Sequence, residues 1–320
     1  MGEPMLNGIG AARPARFRRQ RVLIVGCGDV GQRVARLLAA RVRVVALTSS
    51  PARVPLLRAA GLTPVVGDLD HPVTLARLAG LGQRVLHLAP PPSSGWRDER
   101  SRALAAALLR RTPPQQLVYG STSGVYGDCG GAWVDETRPP QPQTARAWRR
   151  LDAEQTWRLW GRRRAARVTI LRIPGIYAPD RPDGAAQRLA RGTPALRAQD
   201  DVVTNHIHAD DLARACLRAL WLGRPQRVVH AVDDTALPMG DYLDRVADLL
   251  GLPRPPRISR AEAQGRLPLA LLSFLNESRR LRNVRLKREL RLRLRYPTVE
   301  QGWAAAAVQA ASWSRTSHSE

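Results

Sequence analysis

Along most of the chain, short apolar runs rich in β-branched residues alternate with stretches whose apolar positions recur every three or four residues. The runs are Val22–Val25, Arg43–Leu47, Thr63–Val66, Arg84–Ala89, Gln116–Tyr119, Val168–Ile173 and Val228–Val232. Those that lack polar alternation predict strands covered on both faces, as in a parallel sheet. Between them, Val30, Val34, Leu37 and Leu38 have helical spacing, and helices are predicted over Pro51–Ala60, Val73–Leu81, Asp98–Arg111 and Leu212–Leu222. Met239–Leu250 and Leu267–Leu275 continue the helical pattern after the last strand. Strand–helix alternation predicts an α/β fold: a doubly wound parallel sheet of about six or seven strands, with a smaller C-terminal α/β lobe. The expected organisation is a disordered basic leader over 1–20, a sheet domain over 21–175, a lobe over 176–302 interleaved with the sheet, and a flexible tail over 303–320.

The first strand runs into Gly26-Cys27-Gly28-Asp29-Val30-Gly31, a G-x-G-x-x-G turn that opens directly into a helix. In a strand–turn–helix unit the first glycine permits the tight turn, the second lets a pyrophosphate approach the backbone, and the third lets helix and strand pack closely. The helix N-terminus adds free N–H groups and a favourable dipole for phosphate. These residues predict a dinucleotide site on a Rossmann sheet. An NAD-preferring strand two ends near an acidic residue that binds the ribose 2′-hydroxyl, but no Asp or Glu lies between Asp29 and Asp68. Thr48, Ser49 and Arg53 stand there instead, which favours NADP, with NAD as the alternative. Asp68 and Leu69 are placed at the adenine edge, and Ala89 and Pro90 at the C-terminal end of strand four, where ligands of open sheets collect. His87, inside that strand, reads as a core residue.

Composition changes this picture little. Of 320 residues 44% are hydrophobic, no run is long enough to span a bilayer, and the leader lacks the apolar centre of a secretory signal. The three cysteines, Cys27, Cys129 and Cys216, are scattered without a C-x-x-C pair, which fits a reducing cytoplasm and excludes a disulfide framework or a cysteine metal site. The formal charge of +24 comes from 51 basic against 27 acidic residues, with Lys287 the single lysine. Such arginine bias fits a GC-rich bacterial coding style as well as an anionic partner. It keeps a nucleic-acid-associated protein as an alternative, although no helix-turn-helix or aromatic–basic RNA motif supports it. No metal is expected: His206-x-His208-x-Asp210-Asp211 is a candidate ligand cluster, but reads better as a strand-to-helix junction with an Asp cap.

Further along, Gly120-Ser121-Thr122-Ser123-Gly124-Val125-Tyr126-Gly127, Leu171-Arg-Ile-Pro174-Gly175-Ile-Tyr177-Ala-Pro179 and Asn205–Ala213 follow the glycine turn and Gly67-Asp68-Leu69 in order. With these motifs the chain resembles the extended short-chain dehydrogenase/reductase superfamily, the group containing NAD-dependent sugar-nucleotide epimerases and dehydratases. Arg295-Tyr-Pro-Thr298 is similar to the close of an atypical subgroup. The resemblance covers most of residues 21–300. It implies an oxidoreductase with a small-molecule substrate, such as a nucleotide sugar or another anionic compound, and is compatible with a homodimer. It further implies that Ser121, Pro174 and Gly175 meet the coenzyme, that Thr122 polarises the substrate hydroxyl, and that Tyr126, Tyr177, Arg181 and Arg188 contact substrate.

One departure stands out. Where the family carries a Tyr-x-x-x-Lys pair, this chain has Arg146-x-x-x-Arg150, with Glu154 at the usual acidic position beyond. No tyrosine lies between Tyr126 and Tyr177. A guanidinium stays protonated at any working pH, so Arg146 is no base, whereas Arg150 can replace the lysine as a fixed charge beside the coenzyme. Asp128, Cys129 and Asp135 on the following loop are weak replacements for the missing acid/base. Three readings stay open: an atypical oxidoreductase with a relocated acid, a catalytically silent NAD(P)-binding regulator or scaffold, or an anionic substrate held by Arg146.

Overall fold

The computed structural model describes residues 20–304, apart from Ala40, Pro182 and Asp183. The expected leader and tail lie outside these residues save for Gln20, Trp303 and Ala304. Trp303 belongs to the packed lobe: it is helical, 2% exposed, and stacked on Tyr177 at 5.9 Å.

Seven strands form one parallel sheet: β1 (Arg21–Val25), β2 (Arg43–Thr48), β3 (Thr63–Val66), β4 (Arg84–His87), β5 (Gln116–Thr122), β6 (Arg167–Ile173) and β7 (Arg227–His230). Their spatial order is β7-β6-β5-β4-β1-β2-β3, a doubly wound topology whose strand order reverses between β1 and β4. Successive side chains of a strand face opposite sides, and β1 shows the consequence. Val22 and Ile24 enter one core with Val34 and Leu38 of the helix Asp29–Leu38 and with Leu212 and Leu220 of the helix Ala209–Leu222. Leu23 and Val25 enter the other core with Leu104 and Leu108 of the helix Glu99–Leu108 and with Trp157 and Trp160 of the helix Ala145–Arg163. Each such aliphatic side chain contributes about 1.5–3 kcal/mol when fully buried.

Several elements differ from expectation, three of them as follows. The helix foreseen over Val73–Leu81 is a 3₁₀ segment, Pro72–Leu78, because the Thr74 hydroxyl donates to the His71 carbonyl at 2.7 Å and draws the chain into tight turns. β4 stops at His87, two residues early. β5 continues through the polar Gly120-Ser121-Thr122, because β6 runs on beside it and pairs Ser121 with Arg172 and Thr122 with Ile173.

The lobe holds a small sheet of Gly175–Tyr177, Val203–His208 and Ala236–Pro238, packed with the helices Ala185–Ala190 and Met239–Leu250 around a third core. Charge ties this lobe to the glycine-turn helix. Arg33, 7% exposed, donates to Asp29 at 2.9 Å, Asp180 at 2.6 Å and Asp210 at 2.5 Å. The strand-to-helix junction is as expected, but its cap is not an aspartate. The His208 side chain accepts the Asp210 N–H at 3.2 Å, while buried Asp211 accepts from the Arg295 and Tyr296 amides at 2.9 and 2.8 Å and fixes the C-terminal segment. No metal-ligand cluster forms among the described residues. In the arginine-rich stretch 278–290, Leu281, Leu286 and Leu290 are buried, and Arg279, Arg285 and Lys287 pair with Glu277, Glu136 and Asp234.

Candidate active site

Three adjoining cavities run along the C-terminal ends of the strands. The first, about 310 Å³, is lined by Cys27, Thr48, Ser49, Arg53, Asp68, Leu69, Ala89 and Pro90. The second, about 320 Å³, shares Gly26, Gly28 and Leu88 with it and adds Asp29, Val30, Gly31, Ser121 and Arg150. The third, about 430 Å³, meets the second at Thr122, Pro174, Ile176 and Arg181, and runs under the lobe past Arg146, Gly175, Tyr177 and Arg188. The topology thus draws residues from Val25 to Arg279 into one trough.

The glycine turn is built as a cradle. Gly26 has φ +88°, and a Cβ there would lie 2.3 Å from the Ala89 amide nitrogen; at Gly31 it would lie 2.8 Å from the Gly26 carbonyl. The helix Asp29–Leu38 starts at Gly28 with no side-chain cap, so its first N–H groups are left for a ligand. The negative charge of Asp29, which would repel a phosphate there, is answered by Arg33 and Arg181.

In the first cavity Arg53 donates to the Cys27 carbonyl at 2.8 Å, bracing the glycine turn from the end of β2. The Asp68 N–H is taken by the Thr74 hydroxyl at 2.8 Å, so its carboxylate is what this residue presents. In the second, Arg150 donates to the Gly120 carbonyl at 2.7 Å and to the Tyr119 hydroxyl at 3.2 Å, a fixed cation under the end of β5. The Ser121 hydroxyl is taken up by a buried carboxylate. It donates at 2.5 Å to Glu154, which also holds Arg172 at 2.7 Å in a buried pair.

In the third cavity Thr122 accepts the Gly124 N–H at 3.2 Å. Arg146 lies over the Phe274 ring at 4.3 Å. Tyr177 is 3% exposed and its hydroxyl donates to the Thr298 carbonyl at 3.2 Å, so it lines the wall through its ring. Tyr126 does not reach the trough. It is 1% exposed, its hydroxyl is bonded to His230 at 2.6 Å, and Arg172 covers its ring at 4.6 Å, so its expected substrate contact does not form. Of the replacement acids, Asp135 accepts from Thr137 on the surface and Asp128 accepts the Ser278 amide at 2.8 Å; neither lines the cavity.

The cavity also gathers residues that the sequence reading did not single out: Tyr242, Phe274, Glu277 and Arg279. No motif or spacing marks them: Tyr242 comes from the helix Met239–Leu250 and the other three from the stretch 274–279. Glu277 is the only carboxylate lining this cavity among the described residues. A methyl placed on Gly124 would be 3.6 Å from Thr122 Oγ1 and 3.7 Å from Glu277 Oε2, so the two oxygens face one gap. Burial pushes the Glu277 carboxyl above its ordinary range, and Arg279 and Arg146 pull it part of the way back. His206 stacks on Tyr242 at 3.9 Å, and burial lowers its pKa to about 3, which keeps it neutral.

A sequence model described as the NAD dependent epimerase/dehydratase family matches residues 22–230. The chain belongs to this family. A solved structure described as a functionally unknown conserved protein from Silicibacter pomeroyi DSS shares 30% identity with this family member, covering 91% of this chain and 99% of that one at a TM-score of 0.76. UDP-glucose 4-epimerase from Thermotoga maritima, solved with UDP-glucose, aligns over 92% of this chain and 99% of its own at 18% identity and TM-score 0.74, a likeness of fold. MoeE5 in complex with UDP-glucose and NAD aligns over 93% and 100% at 22% identity and TM-score 0.71. None of the curated proteins compared matches the chain. No helix among the described residues is long and apolar enough to cross a membrane.

Proposed function

We propose that the chain is an NAD(P)-dependent oxidoreductase of the epimerase/dehydratase type, acting on a small molecule held in the third cavity. The observation that carries this reading is the run of adjoining cavities from the glycine cradle to Thr122 and Glu277. The Gly26–Gly31 turn suits a pyrophosphate, Asp68 and Leu69 the adenine, and Pro174 and Gly175 the nicotinamide side. Thr48, Ser49 and Arg53 stand where the ribose 2′-position belongs, which favours NADP over NAD. A nicotinamide bound there supplies or accepts a hydride. Thr122 orients the substrate hydroxyl, Arg150 holds a fixed positive charge beside the coenzyme ribose, and Glu277 takes or returns the hydroxyl proton. Arg146 stays a cation throughout. Three unpaired cysteines accord with a reducing cytoplasm.

Thermal unfolding with either coenzyme tests the reading. A ligand at about 100 times its Kd stabilises by about 2.7 kcal/mol, a shift of several degrees. Stabilisation by NADP beyond that by NAD is expected; no shift with either at millimolar levels overturns the proposal. Arg53→Ala should lower NADP affinity about tenfold relative to NAD, read by titration calorimetry, since the substitution removes one charge-assisted contact. Gly124→Ala should leave the fold and coenzyme affinity unchanged, because its contacts would be of ordinary length. Its methyl would fill the gap between Thr122 and Glu277 and raise substrate KM about tenfold.

The second reading, a silent coenzyme-binding regulator, is favoured by Arg146 at the family's tyrosine position. Strong stabilisation by coenzyme without turnover on sugar nucleotides, alcohols or aldehydes would select it.

A further inference from the structure

The two rims of the seven-stranded sheet carry opposite charge patterns. On the trough side, where strands end and helices begin, carboxylates collect: Asp29, Asp98 and Asp211 stand at helix starts, and Asp68 and Asp70 follow β3. The arginines there are answered, Arg33 by Asp180, Arg181 by Asp29 and Arg100 by Asp70. The opposite rim, where helices end and strands begin, has no such balance. β1, β2, β4, β6 and β7 each open with an arginine: Arg21, Arg43, Arg84, Arg167 and Arg227. The connections that lead from a helix into the next strand are 39–42, 60–62, 79–83, 109–115, 164–166 and 223–226. They hold Arg41, Arg110, Arg111, Arg164 and Arg224, and no Asp or Glu. Among the described residues the one carboxylate that ion-pairs with this set is Glu289, with Arg224 and Arg227. Helix dipoles favour cations at helix C-termini, which accounts for Arg110, Arg164 and Arg224. They do not account for the strand starts. Arg21 and Arg43 are register partners on neighbouring strands, and at Arg84 burial first, then the charge of Arg167, draws the pKa down. Arg21, Arg43, Arg110, Arg111 and Arg164 are exposed, so the charge faces solvent. Such a row attracts polyanions, and their binding relieves its self-repulsion.

We infer that the rim of the sheet opposite the trough docks on the phosphate backbone of double-stranded nucleic acid. The guanidinium fork matches phosphate oxygens in pairs. With strands about 4.8 Å apart, the row from β7 to β2 spans about 24 Å. Over that length a duplex presents about 14 phosphate charges. The six connections contain no Phe, Tyr or Trp, so they offer no platform on which unpaired bases stack. They present helix C-termini and short turns, with no helix or ribbon to enter a groove, so the contacts stop at phosphate and carry no sequence preference. The trough lies at the other ends of the same strands, and the inference does not rest on the proposed reaction.

The test is fluorescence anisotropy of the full chain with a short labelled DNA duplex, between about 50 and 200 mM salt. Overall charge is the competing explanation, so two triple variants carry the same loss of it. One has Arg110→Gln, Arg111→Gln and Arg164→Gln on the proposed face. The other has Arg97→Gln after β4 and Arg254→Gln and Arg266→Gln on the lobe. All six side chains are exposed, so the fold should tolerate both sets. Wild type should bind the duplex at the low end of the salt range. The first variant should bind at least about tenfold more weakly, with the log–log salt slope lowered by about 2–3, and the second should stay within about twofold of wild type. Three results would overturn the inference: no duplex binding at about 50 mM salt, equal losses in the two variants, or tighter binding to a single strand or to phosphatidylglycerol vesicles than to the duplex. Duplex binding by a chain that ignores both coenzymes would sink the coenzyme reading and leave this one standing.

Discussion

Glu277→Gln is expected to lower turnover by about 10²–10⁴, the range in which a positioned acid/base contributes, with coenzyme affinity unchanged. The choice of glutamine matters. Arg279 is 7% exposed and paired with Glu277, so alanine would leave a buried cation without an acceptor and confuse misfolding with lost chemistry. Glutamine keeps an amide oxygen for Arg279 and removes only the proton-accepting charge. The check is the rate of coenzyme reduction by wild type and variant across a panel of sugar nucleotides, followed against pH. On the proposed mechanism oxidation requires the ionised carboxylate, and burial holds its pKa above the ordinary glutamate range. Oxidation should therefore rise with pH through that raised value, and the rise should vanish in Glu277→Gln. Stability has the opposite sign. With the folded pKa above the unfolded one, the group's contribution is fully present below the unfolded pKa and is lost as pH rises through the folded one. Equal rates in the two proteins would remove Glu277 from the mechanism.

How far the sequence disclosed this arrangement depends on the kind of signal each part carries. The sheet was legible because a strand covered on both faces must be apolar at every position, as Val22–Val25 is, and because the glycine turn serves local geometry within six residues. The lining of the trough was legible for the same reason: it lies at strand ends, where topology collects it. The end of β5 was not, since Gly120-Ser121-Thr122 pair with β6 through backbone groups, which leave no pattern in side-chain polarity. The helix Ala145–Arg163 went unpredicted. It buries Arg149, Glu154 and two tryptophans among its arginines, so no regular aliphatic stripe announces it. Glu277 stayed invisible because a carboxylate that lines a cavity needs no fixed spacing from the residues facing it. Tyr126 misled for a different reason: the resemblance placed it at the substrate, while the turn after β5 sends its ring inward to His230.

Gly26→Ala should abolish measurable coenzyme binding, at least a hundredfold loss, and destabilise the fold by about 2–4 kcal/mol. Two costs act together. The backbone at φ +88° strains any residue with a Cβ, and that atom would lie 2.3 Å from the Ala89 nitrogen and 2.7 Å from the Leu88 carbonyl carbon. Both obstacles are backbone at the end of β4, so no side chain can swing aside, and the turn must lift from the strand it rests on. Gly28→Ala separates the two consequences. A Cβ there meets nothing within 4 Å, so the fold should tolerate it. Its methyl would project at the uncapped helix start, where a pyrophosphate must approach the backbone. Urea unfolding and coenzyme titration of both variants should give one protein that loses stability and binding together, and one that loses binding alone. If Gly28→Ala bound either coenzyme as tightly as wild type, the phosphate would not sit on this turn, and the trough would need another occupant.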